Sequence, residues 1–115
     1  MSRWADIYRH LKSEGFDVYS PGQHKGECLS PYVVIKDAGV TQLGQFSSNR
    51  HLYDLLCYVP EAQFSKLESF VDSVEKSMFK LSPAVKSAHY RTPSFYEDSN
   101  KSHMISTQYL NYRKH

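Results

Sequence analysis

The sequence predicts an α+β fold: a mostly antiparallel β-sheet with two α-helices packed on one face, in the order α-β-β-β-α-β-β. Three observations lead there. Only two stretches carry apolar residues at intervals of three and four. Between and after them lie β-branched or alternating runs bounded by Gly and Pro. No regular strand-helix-strand repeat links these runs, so a parallel sheet is disfavoured.

The first helix spans Ser2 to Ser13. Trp4, Ile7, Tyr8 and Leu11 share one face, and Arg3, Asp6, Arg9, His10 and Lys12 cover the other. Ser2 is placed to cap its start and Gly15 to stop it in a left-handed conformation. Phe16 to Tyr19 is a short strand candidate, and Ser20 to Ser30, with Pro21, Gly22 and Gly26, reads as a loop.

Pro31 opens Tyr32-Val33-Val34-Ile35-Lys36, a buried strand. Asp37 to Ser48 holds Gly39 and Gly44 among polar residues and reads as a long connecting loop. Loops of that length in a small domain are usually functional or disordered. The expectation is that this one orders on contact with a partner.

Arg50 to Val59 forms the next strand. His51, Tyr53, Leu55, Cys57 and Val59 lie on one face, and Leu52, Asp54, Leu56 and Tyr58 on the other. Apolar residues on both faces point to a central strand or one covered by a partner.

The second helix starts between Glu61 and Lys66. Its stripe is Phe64, Leu67, Val71, Val74, Met78 and Leu81, read as core, and Ser65 to Glu68 has capping-box spacing. Ser82-Pro83 closes it. Val85 to Thr92 and Ser94 to Glu97 are weaker strands around Pro93, followed by a turn at 97–100. In the last strand, Ser102 to Tyr112, Ile105, Thr107 and Tyr109 face one way. Met104, Ser106, Gln108, Leu110 and Tyr112 face the other.

At 115 residues and 13.3 kDa the chain is one domain, 1–115. It is too short for a two-lobed enzyme or a barrel of roughly 250 residues. With 40% hydrophobic and 23% charged residues it is neither disordered nor fibrous. Nine Tyr and six Phe are many for this size, and Tyr favours half-buried interface positions.

The net charge of +2 gives no electrostatic case for nucleic-acid binding. Residues 86–115 carry five bases (Lys86, Arg91, Lys101, Arg113, Lys114) against Glu97 and Asp98, a mildly basic tip that solvation alone explains. No apolar run approaches the roughly 20 residues of a membrane span. Residues 1–14 mix charge with apolar residues and do not read as a signal peptide. The expected compartment is a reducing cytosol, with Cys28 and Cys57 as thiols.

The chemistry-bearing patterns are thin. No glycine-rich phosphate loop, nucleophile elbow or paired-cysteine zinc motif is present. His24 and Cys28 could supply two metal ligands, but nothing nearby completes a set of four, so no metal or cofactor is expected. His51, His89 and His103 could each meet a carboxylate in space, the basis of an enzyme alternative. Glu68, Asp72 and Glu75 share a helix flank that reads as solvated. Tyr and Lys/Arg interleave at the C-terminus (Tyr90-Arg91, Tyr109, Tyr112-Arg113-Lys114). That pattern suits a protein interface better than a single-strand stacking surface at this net charge.

The layout as a whole carries a likeness. An amphipathic N-terminal helix precedes Cys28-Leu29-Ser30-Pro31-Tyr32-Val33-Val34-Ile35. A polar loop follows, then a strand ending Tyr58-Val59-Pro60, a helix of the type Phe64-Ser65-Lys66-Leu67-Glu68, and a last strand Met104-Ile105-Ser106-Thr107-Gln108-Tyr109. Over nearly all 115 residues this resembles the tail terminator (tail completion, or tail-to-head joining) proteins of long-tailed bacteriophages and prophages of Gram-positive bacteria. The resemblance implies an α+β subunit without catalytic residues. It implies a hexameric ring at the head-proximal end of the tail tube that ends tube polymerisation and offers the surface for head joining. The implied partners are further copies of the chain, the tail tube protein and a neck or head-completion protein, with DNA passing through the lumen without sequence-specific binding. The implied location is the virion tail, with assembly in the host cytoplasm.

A ring subunit buries surface against two neighbours. The candidate interface residues are Leu52, Leu56 and Tyr58 on the central strand, and Gln42 and Phe46 in the loop. Tyr109, Tyr112, Arg113 and Lys114 at the last strand complete the set. The alternatives are another neck, head-completion or tail-tube module, or a small enzyme.

Overall fold

A computed structural model describes residues 4–24, 26–43, 48–82 and 84–114, the backbone alone at 40–43, 48–50 and 112–114. The order is α1 (Trp4–Ser13), β1 (Val18–Tyr19), β2 (Tyr32–Leu43), β3 (Ser48–Pro60), a 3-10 segment (Glu61–Lys66) and α2 (Leu67–Met78). A second 3-10 turn (Phe79–Leu81), β4 (Lys86–Arg91), β5 (Phe95–Glu97) and β6 (Ser102–Lys114) follow. The sheet runs β1-β2-β3-β6-β4, with β5 beside β6. Among the described residues β1 and β2 pair in parallel and the other pairings are antiparallel. The chain is thus α+β with both helices on one face. Three strands follow α2, because the runs on either side of Pro93 each pair with β6.

The helix-covered face is written in the strand alternation. Val33 and Ile35 of β2, Tyr53, Leu55, Cys57 and Val59 of β3, and Ile105 and Tyr109 of β6 form one cluster. Ile7 and Leu11 of α1 and Leu67, Val71, Val74 and Met78 of α2 close over it. Removing this apolar surface from water is the main stabilising term. On the second face Cys28, Tyr32 and Val34 form a smaller cluster with Tyr19, Leu56 and Tyr58.

Helix α1 ends as its glycine requires. Gly15 has φ +94°, its N–H donates to the Lys12 carbonyl and the Phe16 N–H to that of Leu11. This is the paired closure of a Schellman motif. The capping box expected at Ser65 to Glu68 does not form. The residue before α2 is Lys66, already in helical geometry at the end of the 3-10 segment, and no side chain caps there. The same segment removes Phe64 from the core. Gln63 is non-helical, so Phe64 leaves the α2 stripe and is 52% exposed.

The largest departure concerns residues 37–48. Instead of a loop, β2 continues to Leu43 and β3 begins at Ser48. Their pairing extends from Tyr32↔Tyr58 to Leu43↔Ser48, with one irregularity between Asp37 and Gly39. Ala38 is the extra residue, and Gly39 supplies φ +102° there. β3 pairs with β6 throughout, from Pro60↔Ser102 to Ser48↔Lys114. A polar stretch can be strand here because ladder hydrogen bonds join the three strands.

Among the residues whose side chains are described, the main cluster reaches Ile35, Tyr53 and Tyr109 along the three strands, with the buried polar His51 and Asn111 just past it. Beyond them β2, β3 and β6 continue together as an arm of roughly 20 Å at 3.3 Å per residue. The molecule measures 48 × 26 × 24 Å. Among the described residues no strand covers β2 beyond Val34 or β6 beyond Leu110 on their outer sides, so the arm has two open edges.

Candidate functional site

Three places merit attention: the root of the arm, the second-face aromatic stack, and the outer edge formed by α2, β4 and β5.

At the root, the bulge turns the Asp37 carboxylate toward β3. His51 Nε2 lies 3.0 Å from each Asp37 carboxylate oxygen, and the Gly39 N–H donates to Asp37 Oδ1 at 2.9 Å. Burial pushes the Asp37 carboxyl up, but the Gly39 N–H and His51 outweigh it, leaving its pKa below the ordinary value. His51 is buried and stacks on Tyr53, with centroids 4.9 Å apart. Its Nδ1 has no partner. One of the three histidines singled out in the sequence therefore does meet a carboxylate. Among the described residues no hydroxyl or thiol bonds His51. His103 instead lies between the rings of Phe64 and Tyr96. His89 is exposed in a second bulge, with φ +57°.

On the second face His24, Tyr32 and Tyr58 stack in series, at 4.0 and 4.8 Å, and Tyr19 meets the first two edge-on. The Asn100 amide donates to the Tyr32 hydroxyl at 2.8 Å. Burial raises Tyr32 to about 12. This stack fixes the 20–31 loop on the sheet. His24 is engaged with Tyr32, and the Cys28 Sγ–H donates to the Ser30 carbonyl at 3.4 Å. Among the described residues no three His, Cys, Asp or Glu side chains stand together as a metal site. Cys28 and Cys57 are free, buried thiols in different clusters.

The outer edge is bound together by Arg91. Its guanidinium reaches Asp72 Oδ1 at 2.6 Å and both carboxylate oxygens of Glu75. The flank Glu68-Asp72-Glu75 is thus partly neutralised by a strand residue, not only by solvent. Two open cavities flank this bridge. One, of about 370 Å³, is bordered by Met78, Phe79, Val85 and Tyr109, and the other, of about 410 Å³, by Phe64, Leu67 and Ile105.

Exposed large apolar side chains concentrate here. Phe64, Phe79, Tyr90, Phe95 and Tyr96 all belong to this edge, and Leu29 alone among those described lies elsewhere. Helical spacing placed Phe64 in the core stripe, which its 52% exposure corrects, and gave no signal for Phe79. The 3-10 segments at the two ends of α2 turn them outward.

The expected interface residues divide. Leu56 and Tyr58 are half-buried against the second-face cluster, and Leu52 is half-buried beside Gly39 and Leu110. Tyr109 is 2% exposed, within the main core. Burial pushes its phenol well above the ordinary range. Gln42, Tyr112, Arg113 and Lys114 lie on the arm, their backbones opposite Asn49, Arg50, Asn49 and Ser48 respectively. Phe46 lies outside the described residues. The set therefore spreads over the core, the second face and the arm.

In comparison with known proteins, no family model matches the chain and no curated protein is similar to it.

Proposed function

We propose that this chain is a structural subunit of a long-tailed phage or prophage, forming a ring at the head-proximal end of the tail tube. The ring ends tube polymerisation and offers the head-joining surface. Its partners are further copies of itself, the tube protein and a neck or head-completion protein, and DNA passes through its lumen. The location that follows is the virion tail, after assembly in the host cytoplasm.

The observation that carries this reading is the arm. A sheet extension whose two edges are unpaired among the described residues is costly for a protein that works alone, because open edges pair with whatever strand they meet. In an assembly the same edges find partners, and the ordering cost is met by backbone hydrogen bonds between copies or with the tube. The layout likeness from the first helix through Met104–Tyr109 supports the same reading.

One observation favours an enzyme, the His51–Asp37 pair. It is better explained as a clip. It joins β2 to β3 where the bulge would otherwise loosen the ladder.

The test shortens the arm. Residues 40–50 are replaced by a two-residue turn in the phage or prophage gene. The residues of the main cluster lie at 7–35, 53–85 and 105–109, and circular dichroism of the shortened subunit checks that it folds. The expected outcome is tails of irregular, excess length without heads. Tails of normal length with heads attached would overturn the proposal.

A further inference from the structure

Helices α1 and α2 lie side by side on the sheet, joined by His10 Nε2 to the Ser77 carbonyl at 2.8 Å and Lys80 to Glu14 at 2.7 Å. At 3.6 residues per turn, the flank of each helix turned away from the other is then fixed. On α1 it carries the exposed Lys12 beside Trp4 and Tyr8, which are half-buried against the core, the Trp4 indole N–H donating to the Ile35 carbonyl at 2.8 Å. The two rings stack at 5.2 Å, and the Lys12 ammonium lies 5.6 Å from the Tyr8 centroid. On α2 and the turn after it the flank carries Glu68, Asp72, Glu75 and Phe79, three carboxylates and a phenylalanine 78% exposed. Arg91 answers Asp72 and Glu75, and among the described residues no opposite charge answers Glu68 or Lys12. The two ends of one helical layer thus differ in charge and share an aromatic character. That is the pattern of a surface and its complement displayed on the same molecule.

We propose that a second copy of this chain docks head-to-tail, the Trp4–Tyr8–Lys12 flank of its α1 lying against the Glu68–Asp72–Phe79 flank of α2. Such a contact is heterologous: each copy uses both flanks, and repetition closes a ring when the rotation allows. Lys12 meets Glu68, and Phe79 packs against the Trp4–Tyr8 pair. The remaining exposed aromatics of the edge, Tyr90 and Phe95 on β4 and β5, widen the covered area. The inference deepens the ring reading and rests on it for closure.

The experiment is light scattering over a concentration series on the wild-type chain, Lys12→Glu, Glu68→Lys and the double variant. Both residues are exposed, so the variants should fold, and circular dichroism checks this. The wild type is expected to rise above 13.3 kDa with concentration. Each single variant should weaken association about tenfold or more, and the double variant should recover most of it. A wild-type chain monomeric up to about 1 mM, or a double variant no better than the singles, would overturn the interface. Tail length is scored separately. A chain that associates through these flanks but does not limit tail length keeps the interface and loses the tail reading. A monomeric chain that still limits tail length does the reverse.

Discussion

His51 Nε2 stands within 3.0 Å of both carboxylate oxygens of Asp37, across the one irregularity in the β2–β3 ladder. The pair ties the root of the arm to the body. Asp37 also holds the Gly39 N–H, so one carboxylate fastens the bulge and the neighbouring strand together. Its pKa is lowered in the fold, so its contribution is present above the unfolded carboxylate range and is lost as pH falls through the folded value. Asp37→Ala should therefore destabilise at neutral pH by about 1 kcal/mol, limited because the side chain is 47% exposed. The gap from wild type should begin to narrow near the unfolded value of about 4 and close as pH falls through the lower folded value. Denaturant unfolding of both proteins at several pH values measures it; a gap unchanged at pH 3 would remove the carboxylate from the account.

Gly15 tests the closure of α1. At φ +94° an alanine is strained whatever the free space, and no atom lies within 4 Å of an added Cβ. The cost should be backbone strain alone, roughly 1 kcal/mol. Gly15→Ala should lower the melting temperature by roughly 4–8 °C for a domain near this size. Gly15→Asn should lose less, since Asn tolerates the left-handed region. Thermal scans of the two variants decide it.

Cys57 tests the core. It sits on the helix face of β3, fully buried, and burial raises its thiol to about 12. Cys28, buried on the second face, is raised to about 11. Neither is a thiolate at neutral pH, so both should resist a thiol reagent until the chain opens. Labelling at pH 8 should be slow in buffer and complete in denaturant. Cys57→Ser should cost about 1–3 kcal/mol, because its hydroxyl enters an apolar cluster. Cys57→Ala should cost less than Cys57→Ser.

The residues show how far a sequence of this kind can be read. The helix stripe was legible because Leu67, Val71, Val74 and Met78 keep helical spacing, whereas in β3 burial alternates from His51 to Val59 but apolar residues on both faces hid which side meets the helices. The arm was not legible. Asp37, Gly39, Thr41 and Gln42 have turn-like composition, yet their neighbours in β3 and their shared ladder decide their conformation. Tyr109 looked like a surface tyrosine because the strand mixes polar and apolar residues on both faces. Its burial depends on β3 and β4 flanking it and α2 lying above. Phe64 was read as core from a spacing that stops at the start of α2, and nothing in the spacing marked Phe79. The edge they help form depends on two short 3-10 turns that periodicity does not reveal.

Arg91 is the remaining joint between the helical layer and the sheet edge. Its guanidinium reaches Asp72 and Glu75 from β4, a strand whose pairing with β6 shifts register between Ser87 and Arg91. That strand has few ladder bonds of its own, so the ion cluster should set how often it opens. Arg91→Ala leaves two carboxylates three residues apart on one helix flank without their shared cation. The expected loss is about 1–2 kcal/mol, with Asp72 two-thirds exposed and Glu75 and Arg91 about one-third exposed. Arg91→Lys should recover little of it, because a single ammonium cannot replace the planar fork that meets both acids. Amide hydrogen exchange should locate the effect. Residues 86–91 should exchange faster in both variants, whereas β3 and the inner part of β6 keep their protection. Equal acceleration throughout the sheet would show that Arg91 acts on global stability instead. Salt should narrow the difference from wild type, since screening weakens the half-exposed ion pairs that distinguish them.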